Sequence, residues 1–239
     1  RVSCFLVVAG YSFYLIGNML DLNKVHHWDC IELMRLIPDK SIDLVLTDPP
    51  YWMEFQSWYR KEKHLKIDND NNMDWVEDFI LECKRIISDE WHIYLFFSHH
   101  NIETILWFVK KHLRYKSILI WEKNNTWMWD LEWDYAPKFE FIIFCGGKKL
   151  NNGRDPNILK FDRTDNELHP TQKPVIMMKY LLEKSSKEWD IIIDPFLWSW
   201  TTAIACKELW RNFIGIEKEK KYVDIANKRL ATTTVSLFS

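Results

Sequence analysis

The residues best suited to chemistry are Asp48, Pro49, Pro50 and Tyr51, which directly follow the apolar run at residues 42–47. That run predicts a buried β-strand, and open α/β sheets bind their ligands at the carboxyl ends of such strands. The prolines fix an extended turn and remove two backbone donors. The Asp48 carboxylate and the Pro49 carbonyl remain as acceptors beside an aromatic ring, which suits an amino group on a flat ring. Taken alone, the tetrapeptide also fits a proline turn with a surface tyrosine.

A second candidate site lies near the end of the sequence. Residues 194–202 follow the apolar run at 191–194 and open a predicted helix. Glu217 ends the next predicted strand, at a spacing typical of the acid that binds ribose hydroxyls in nucleotide-binding α/β folds. Asp29 follows the predicted strand at 24–27, where a helix N-cap is an equally good interpretation from sequence alone.

Together these motifs resemble the amino-methyltransferases of DNA, and the resemblance extends from about residue 25 to residue 230. In that family a D-P-P-Y motif holds the target base after it has flipped out of the duplex. The resemblance implies that Asp48 and the Pro49 carbonyl accept hydrogen bonds from the base amino group, while Tyr51 stacks on the base. The implied catalytic set is Asp48, Pro49, Pro50 and Tyr51.

The cofactor implied by the resemblance is S-adenosylmethionine. Residues 194–202 read D-P-F-L-W-S-W-T-T, where the family has D-P-F-x-G-S-G-T-T with glycines that let the backbone approach the methionine part. The hexapeptide at 169–174 matches a further family block that contacts the same end of the cofactor. The implied cofactor-binding residues are Asp29, Thr171, Lys173, Asp194, Pro195, Phe196, Trp198, Ser199, Trp200, Thr201 and Glu217.

The order of the blocks, with the base-binding motif before the cofactor turn, resembles the permuted beta class of this family. Relatives with Asp in the first motif position mostly act on adenine N6, and those with Ser there mostly on cytosine N4. Asp48 therefore favours a DNA (adenine-N6) methyltransferase. RNA- or protein-directed relatives are less favoured, because the protein-directed ones usually carry Asn at this position. Two alternatives stay open, an N4-cytosine methyltransferase and a non-catalytic DNA-binding relative.

Apolar runs alternate with helical patterns, which predicts a wound α/β sheet. The resemblance implies the seven-stranded, Rossmann-like methyltransferase sheet with helices on both faces. It also implies one antiparallel strand, at 139–144 or its neighbour. The predicted strands are 24–27, 42–47, 92–97, 116–121, 139–144, 191–194 and 212–217. The predicted helices are 75–87, 101–112, 175–185, 201–209 and 220–230.

Net charge gives no general indication of nucleic-acid binding, because the formal charge is only −2. Contacts with the implied partner, double-stranded DNA, must then be local. Two long polar connections, at 52–73 and 148–172, are predicted between strands, and long ordered loops usually have a function. Inserted DNA-contacting loops are expected at about 52–73 and 123–168. The phosphate contacts expected in the first loop are Arg60, Lys61, Lys63 and Lys66.

One methyltransferase domain is expected at residues 19–239, with residues 1–18 as an N-terminal extension for which upstream read-through is one explanation. The five scattered cysteines show neither zinc-site spacing nor a secreted disulfide pattern, so we expect a cytoplasmic protein without a metal. The apolar run at 4–16 is too short to span a bilayer, and no membrane partner is expected. Within a restriction–modification pair, a cognate restriction endonuclease would be a second partner.

Tryptophan is abnormally frequent, with 14 Trp against 6 Gly, although Gly normally makes up about 7% of a chain. Four tryptophans stand where the family has glycine: Trp28, Trp52, Trp198 and Trp200. Others fall where turns and helix ends favour glycine: Trp91, Trp127, Trp129, Trp133, Trp189 and Trp210. We hypothesise that the gene encodes glycine as UGA, read here as tryptophan, whereas Trp75 and Trp121 are native. The alternative is a genuinely Trp-rich protein.

Overall fold

The computed structural model describes residues 6–8, 11–13, 15–16, 20–50, 74–124, 135, 137–163, 172–198 and 200–232. The strands in these ranges are β1 (Leu6–Val8), β2 (Tyr11–Phe13), β3 (Leu15–Ile16), β4 (Leu20–Asp21), β5 (Lys24–His27), β6 (Ile42–Thr47), β7 (Ile87–Phe97), β8 (Tyr115–Glu122), β9 (Phe139–Gly146), β10 (Ile158–Lys160), β11 (Ile191–Asp194) and β12 (Asn212–Glu217). The helices are α1 (Cys30–Met34), α2 (Asp74–Ile86), α3 (Ile102–His112), α4 (Val175–Ser185), α5 (Thr201–Glu208) and α6 (Lys220–Thr232), with a 3-10 turn at His99–Asn101 before α3.

The main sheet has eight strands in the order β10-β8-β9-β7-β6-β11-β12-β5. β9 pairs antiparallel with both of its neighbours, and every other neighbouring pair is parallel. All seven predicted strands are present, and the antiparallel strand at 139–144 is confirmed. β10 was not predicted, because three residues in a polar interval give no periodic signal. β1 pairs with β2, and β3 pairs with β4, as two small antiparallel sheets.

Helices cover both faces of the sheet, as predicted. Alternate residues of β6 belong to different cores: Leu44 and Leu46 join the cluster that includes residues of α4, α5 and α6, whereas Val45 joins the cluster that includes residues of α1, α2 and α3. This alternation follows from the two-residue period of a strand. Because both faces are covered, central strands read as continuous apolar runs, and all six residues of β12 are buried.

The described helices include none with the length and apolar character needed to cross a bilayer.

All five predicted helices agree with the structure to within two residues at each end. The first residue of the helix predicted at 101–112 belongs to the 3-10 turn that precedes α3. α1 was missed because five residues are too few to show a helical period.

A buried polar network joins β7 to the end of α4. His92 Nδ1 lies 2.8 Å from Ser185 Oγ, Tyr94 Oη lies 2.7 Å from the same oxygen, and His92 Nε2 lies 3.2 Å from the Lys148 carbonyl oxygen. A carbonyl can only accept, so Nε2 carries the proton and Nδ1 accepts from Ser185. Burial lowers the pKa of His92 to about 4. The network is therefore satisfied with a neutral histidine.

His92 should make the fold sensitive to mild acid. The unfolded chain binds a proton near the ordinary histidine pKa of 6.5, whereas folded His92 does so only near 4. Stability is therefore lost as pH falls through this window, by about 2 kcal/mol between about pH 7.5 and pH 5. The free energy of unfolding in urea, measured at both pH values for the unsubstituted protein and for His92→Gln, separates this contribution from that of other titrating groups. Parallel losses in the two proteins would contradict it.

Candidate active site

Four acidic residues lie along one edge of the sheet. Asp48 follows β6, Asp194 ends β11, Glu217 ends β12, and Asp29 follows β5 by two residues. These four strands are neighbours in the sheet and run parallel, so their carboxyl ends meet at the same edge. The structure thus brings together acids that are far apart in sequence, at the place where open α/β sheets bind ligands.

Asp194 ties the two sequence motifs together. Its Oδ1 accepts hydrogen bonds from Thr47 Oγ1 at 2.7 Å and from the Phe196 amide at 3.1 Å, and its Oδ2 accepts one from Thr202 Oγ1 at 2.7 Å. Burial raises the pKa of Asp194 to about 6 against these hydrogen bonds, and the Asp48 charge adds to the rise. Asp194 therefore closes the turn into α5 and attaches that turn to the residue before Asp48.

Glu217 and Asp29 occupy neighbouring positions with different roles in the fold. Burial raises the pKa of Glu217 to about 7, and one carboxylate oxygen accepts a hydrogen bond from the Glu219 amide at 2.7 Å. Asp29 Oδ1 accepts hydrogen bonds from the Ile31 and Glu32 amides at 3.0 and 3.2 Å. Asp29 is therefore the N-cap of α1, which was its alternative interpretation, and its cofactor contact stays a prediction.

The turn between β11 and α5 is held tightly on both sides. The Leu197 amide donates to the Ile216 carbonyl at 2.9 Å, and the Leu197 side chain lies where a Cβ on Gly215 would come within 2.5 Å of it. A side chain at position 215 would therefore force the Leu197 side chain to move. On the other face the Phe196 ring packs against the Trp75 ring, with centroids 5.4 Å apart. The path of the turn after Pro195 is thus set by the sheet and by α2.

Trp200, at the end of this turn, has an unfavourable backbone conformation and a buried side chain. It is the N-cap of α5 and has a left-handed backbone with φ of 47°. Its side chain is 1% exposed, and its indole nitrogen has no hydrogen-bond partner among the described residues. The Arg229 guanidinium lies 5.7 Å from the ring centroid. A buried indole nitrogen without a hydrogen-bond partner lowers the stability of the fold, and so does a left-handed backbone at a bulky residue.

Buried ion pairs support Asp48. Lys173 Nζ lies 2.6 Å from Asp48 Oδ2 and 3.1 Å from Glu140 Oε2, and Lys123 Nζ lies 3.3 Å from Glu140 Oε1. The two lysine side chains are only 3% and 2% exposed, respectively. We call these four side chains the charge chain. Its members alternate in sign from Asp48 to Lys123.

The pKa values of the charge chain show how its members depend on one another. Burial would raise the pKa of Glu140, but Lys173 and Lys123 outweigh it and hold the pKa below its usual value. Burial would lower the pKa of Lys173, but Asp48 and Glu140 outweigh it and raise the pKa. Burial lowers the pKa of Lys123, with Glu140 opposing the fall. Glu140 and Lys173 are therefore both held in their charged forms.

The reversed strand explains how Glu140 reaches the site. Because β9 runs against the other strands, its first residues lie at the edge where β7 and β8 end, with Glu140 paired opposite Trp121. Sequence analysis did not select Glu140 or Lys123. The available signal was an acid flanked by phenylalanines in an apolar strand, since a buried charge needs a partner.

Several predicted site residues lie outside the described part of the chain: Tyr51, Arg60, Lys61, Lys63, Lys66, Thr171 and Ser199. The expected inserted loop at 123–168 contains β9 and β10, so a substantial part of that interval belongs to the sheet. Within the described ranges, no group of three or more His, Cys, Asp or Glu side chains could hold a metal ion.

Comparison with known proteins agrees with this geometry. A family profile described as DNA methylase, for N6 and N4 methyltransferases, matches residues 42–228. The chain belongs to the N6/N4 DNA methylase family. The match covers Asp48, the charge chain and the turn into α5, so the DNA methylase assignment rests on the elements that form the site.

Individual DNA methylases resemble most of the chain. The type II methyltransferase M.HinfI of Haemophilus influenzae is 29% identical, over 87% of this chain and 68% of its own length. M2.MboI of Moraxella bovis, also a type II methyltransferase, is 28% identical over 86% of each chain. The crystal structure of an M1.HpyAVI–SAM complex aligns with a TM-score of 0.66 and 26% identity, over 86% of this chain and 98% of that one. The PvuII cytosine-N4-specific DNA methyltransferase shares the fold, with a TM-score of 0.69 at 17% identity over 90% of this chain and 95% of that one.

Proposed function

We propose that this DNA methyltransferase transfers a methyl group from S-adenosylmethionine to the exocyclic N6 amine of adenine in double-stranded DNA. The observation that carries the proposal is Asp48, a carboxylate that leaves a buried strand at the ligand-binding edge and is paired with Lys173 at 2.6 Å. The neighbouring Pro49 carbonyl supplies a second acceptor. An aspartate at the first motif position favours adenine, and cytosine N4 is the alternative.

The acids of the site fit the nucleoside part of S-adenosylmethionine. Glu217 is buried at a strand end, where its carboxyl oxygens can accept hydrogen bonds from ribose hydroxyls. The turn into α5 fits the methionine part less well, because the Trp200 side chain is buried where glycine would leave the backbone accessible. The proposal therefore concerns the chain with glycine at positions 28, 52, 198 and 200 and at the other suspect positions, 91, 127, 129, 133, 189 and 210. We call this protein the glycine parent.

The chemical difficulty is the weak nucleophilicity of the target nitrogen, whose lone pair is delocalised into the ring. Hydrogen bonds from the amino group to Asp48 and to the Pro49 carbonyl localise that lone pair and direct it outwards. When bound, S-adenosylmethionine would supply the methyl group and would leave as S-adenosylhomocysteine, so that one C–S bond would break as the C–N bond forms. The methylated nitrogen must also lose one proton, for which the Asp48 carboxylate is the acceptor at hand. The reacting atoms must then be in line at about 3 to 3.5 Å, so positioning and electrostatics supply the catalysis and no covalent enzyme intermediate is needed.

The base amino group has to leave the duplex to reach Asp48, which costs a few kcal/mol of lost stacking and pairing. We assign the interval at about 52–73 to phosphate contacts and the parts of 123–168 outside the sheet to sequence reading. Both sequence intervals adjoin the site, since the first follows Asp48 and the second begins at Lys123. A type II restriction–modification context, with a cognate restriction endonuclease, is consistent with the names of the relatives.

The glycine parent should place labelled methyl groups from S-adenosylmethionine on adenine N6 of unmethylated DNA. Nucleoside digestion of the product identifies the base. Label in N4-methylcytosine would overturn the choice of base and keep the chemistry. A folded parent that binds DNA without transferring label would favour the non-catalytic alternative.

Asp48→Ala in the glycine parent should lower methyl transfer by at least about 100-fold, because the target amino group loses its charged acceptor. S-adenosylmethionine affinity, measured by calorimetry, should change by less than about threefold. Asp48→Asn, which preserves the size of the side chain, should behave in the same way and controls for misfolding. Retained activity in both variants would contradict the role of Asp48.

Neutralising Arg60, Lys61, Lys63 and Lys66 with glutamine should flatten the salt dependence of DNA binding. The logarithmic slope should fall by about one for each phosphate that the protein no longer neutralises. Lys110, Lys111 and Lys116 provide a matched control. They lie at the end of α3 and the start of β8, on the edge of the sheet opposite Asp48. Equal slopes for both sets of variants would contradict the assignment of the first loop.

A further inference from the structure

We propose that Glu140 is a positioning residue for methyl transfer, which fixes the Lys173 ammonium group against Asp48 with support from Lys123. This inference rests on the proposed function, because it takes Asp48 as the acceptor for the target amino group. The four side chains come from separate parts of the fold: Asp48 follows β6, Glu140 is on β9, Lys123 follows β8, and Lys173 precedes α4.

Asp48 can serve its target only if its carboxylate is charged and held in place. The Lys173 ammonium group favours the charged form, but a lysine stem has many rotamers and would not fix a position alone. Glu140 supplies the second point of attachment at 3.1 Å, and the Phe96 ring lies beneath the ammonium group, with 5.2 Å from Nζ to the ring centroid. Asp48, Glu140 and Phe96, from three different strands or strand ends, therefore fix the position of the Lys173 ammonium group.

Lys123 balances the charge that this arrangement buries. Asp48 and Glu140 together carry two negative charges, and Lys173 offers one positive charge. Lys123, with its side chain 2% exposed and its ammonium group 3.3 Å from Glu140, supplies the second. These four side chains together carry no net charge, and Arg163 is a further positive charge that acts on Lys123. Removal of one member of the charge chain leaves a buried charge with less compensation. Glu140 is thus shared between Lys173, which positions Asp48, and Lys123, which adds positive charge beside the two carboxylates.

Glu140→Gln in the glycine parent tests the role, because glutamine keeps the size and removes the charge. We expect kcat for methyl transfer to fall about tenfold, while the KM for S-adenosylmethionine stays within about twofold. In a Lys173→Met background the same substitution should change kcat little, since its route to Asp48 has been removed. Equal losses in both backgrounds, or no loss in the parent, would overturn the proposal.

The matched control is Glu122→Gln. Glu122 lies at the end of β8, is 38% exposed and pairs with Lys138 and Lys160 at the surface. Its replacement should leave kcat unchanged.

A second readout does not need activity. NMR titration of lysine ammonium groups should show Lys173 losing its proton at lower pH in Glu140→Gln than in the parent, because the substitution removes a charge that raises the Lys173 pKa. An unchanged titration overturns the charge chain. If the titration shifts but the parent transfers no methyl group, the proposed function fails instead, so the two failures are distinguishable.

A separate observation concerns tryptophan. In the described ranges six residues other than glycine have positive φ: Asn23, Lys40, Asn152, Trp189, Trp200 and Trp210. Asparagine tolerates this conformation, but for a bulky side chain it is a genuine outlier. Half of these six residues are therefore of a type that is poorly suited to a left-handed backbone.

Trp210 shows most clearly which residue the backbone favours. α5 ends with C-cap Leu209, and the Trp210 amide then donates to the Lys207 carbonyl at 3.3 Å, while the Arg211 amide donates to the Cys206 carbonyl at 2.8 Å. These two bonds form a Schellman motif with Trp210 at the left-handed position, where glycine is the usual residue. The Trp210 side chain is 41% exposed, so burial does not explain its presence.

We infer that positions 189, 200 and 210 are glycine in the protein made by its source organism, with UGA as the codon. Positions 189 and 210 lie outside any motif and were selected above from turn and helix-end patterns alone, so their left-handed backbone is independent support for the hypothesis. Tryptophan in place of glycine at position 200 also explains why the turn into α5 fits S-adenosylmethionine poorly as written. The geometry of the backbone and the composition of the chain are independent of the proposed methyl transfer, so this inference stands apart from it.

Peptide masses from the source organism decide between glycine and tryptophan. One tryptic peptide, residues 188–207, covers positions 189, 198 and 200, and the next, residues 208–211, covers position 210. Glycine masses there, with tryptophan retained at 121 in the peptide of residues 117–123, are expected. Tryptophan at 200 and 210 would overturn the inference, as would UGG codons.

A recombinant test gives the physical counterpart. Trp210→Gly should raise the urea midpoint of unfolding, because it relieves a left-handed conformation at a half-exposed site. Trp107 is the matched control, since it is 57% exposed within α3 and has an ordinary backbone. Trp107→Gly should lower the midpoint. A fall of equal size in both variants would contradict the preference at position 210.

Discussion

A lysine ammonium group buried between two carboxylates is the interaction around which the candidate site is organised. Desolvation of an ammonium ion costs several kcal/mol, and only well-placed opposite charges offset it. Asp48 and Glu140 provide those charges at 2.6 and 3.1 Å from Lys173. Lys123 adds a second positive charge, and Glu140, which lies on β9, anchors the set to the sheet.

The topology of the sheet supplies the second constraint. Parallel strands present only their carboxyl ends at the ligand-binding edge, so Asp48, Asp194 and Glu217 reach it as the residues that end or follow strands. A residue at the start of a strand can join them only if that strand is reversed. β9 is reversed, and it brings Glu140 to the same edge. The single antiparallel strand therefore contributes to the site as well as to the fold.

Seven of the eight strands of the main sheet and the acids at its edge could be predicted from the sequence, because continuous apolar runs and the residues after them are local signals. The strands β5, β6, β11 and β12 have the predicted bounds. The charge chain was not predicted, since the partner of a buried charge is set by three-dimensional packing between distant segments. Asp29 differs from the charge chain, because a helix N-cap is a local signal that the sequence did carry. The resemblance to the family had favoured a cofactor contact over that interpretation, and Asp29 is the N-cap of α1.

Asp194 accepts hydrogen bonds from the hydroxyls of Thr47 and Thr202, and so joins the strand that leads to Asp48 with α5. The distance between Asp48 and the turn into α5 is thereby set by two neighbouring strands, β6 and β11. Insertions or deletions in the intervals outside these elements would therefore leave that distance unchanged.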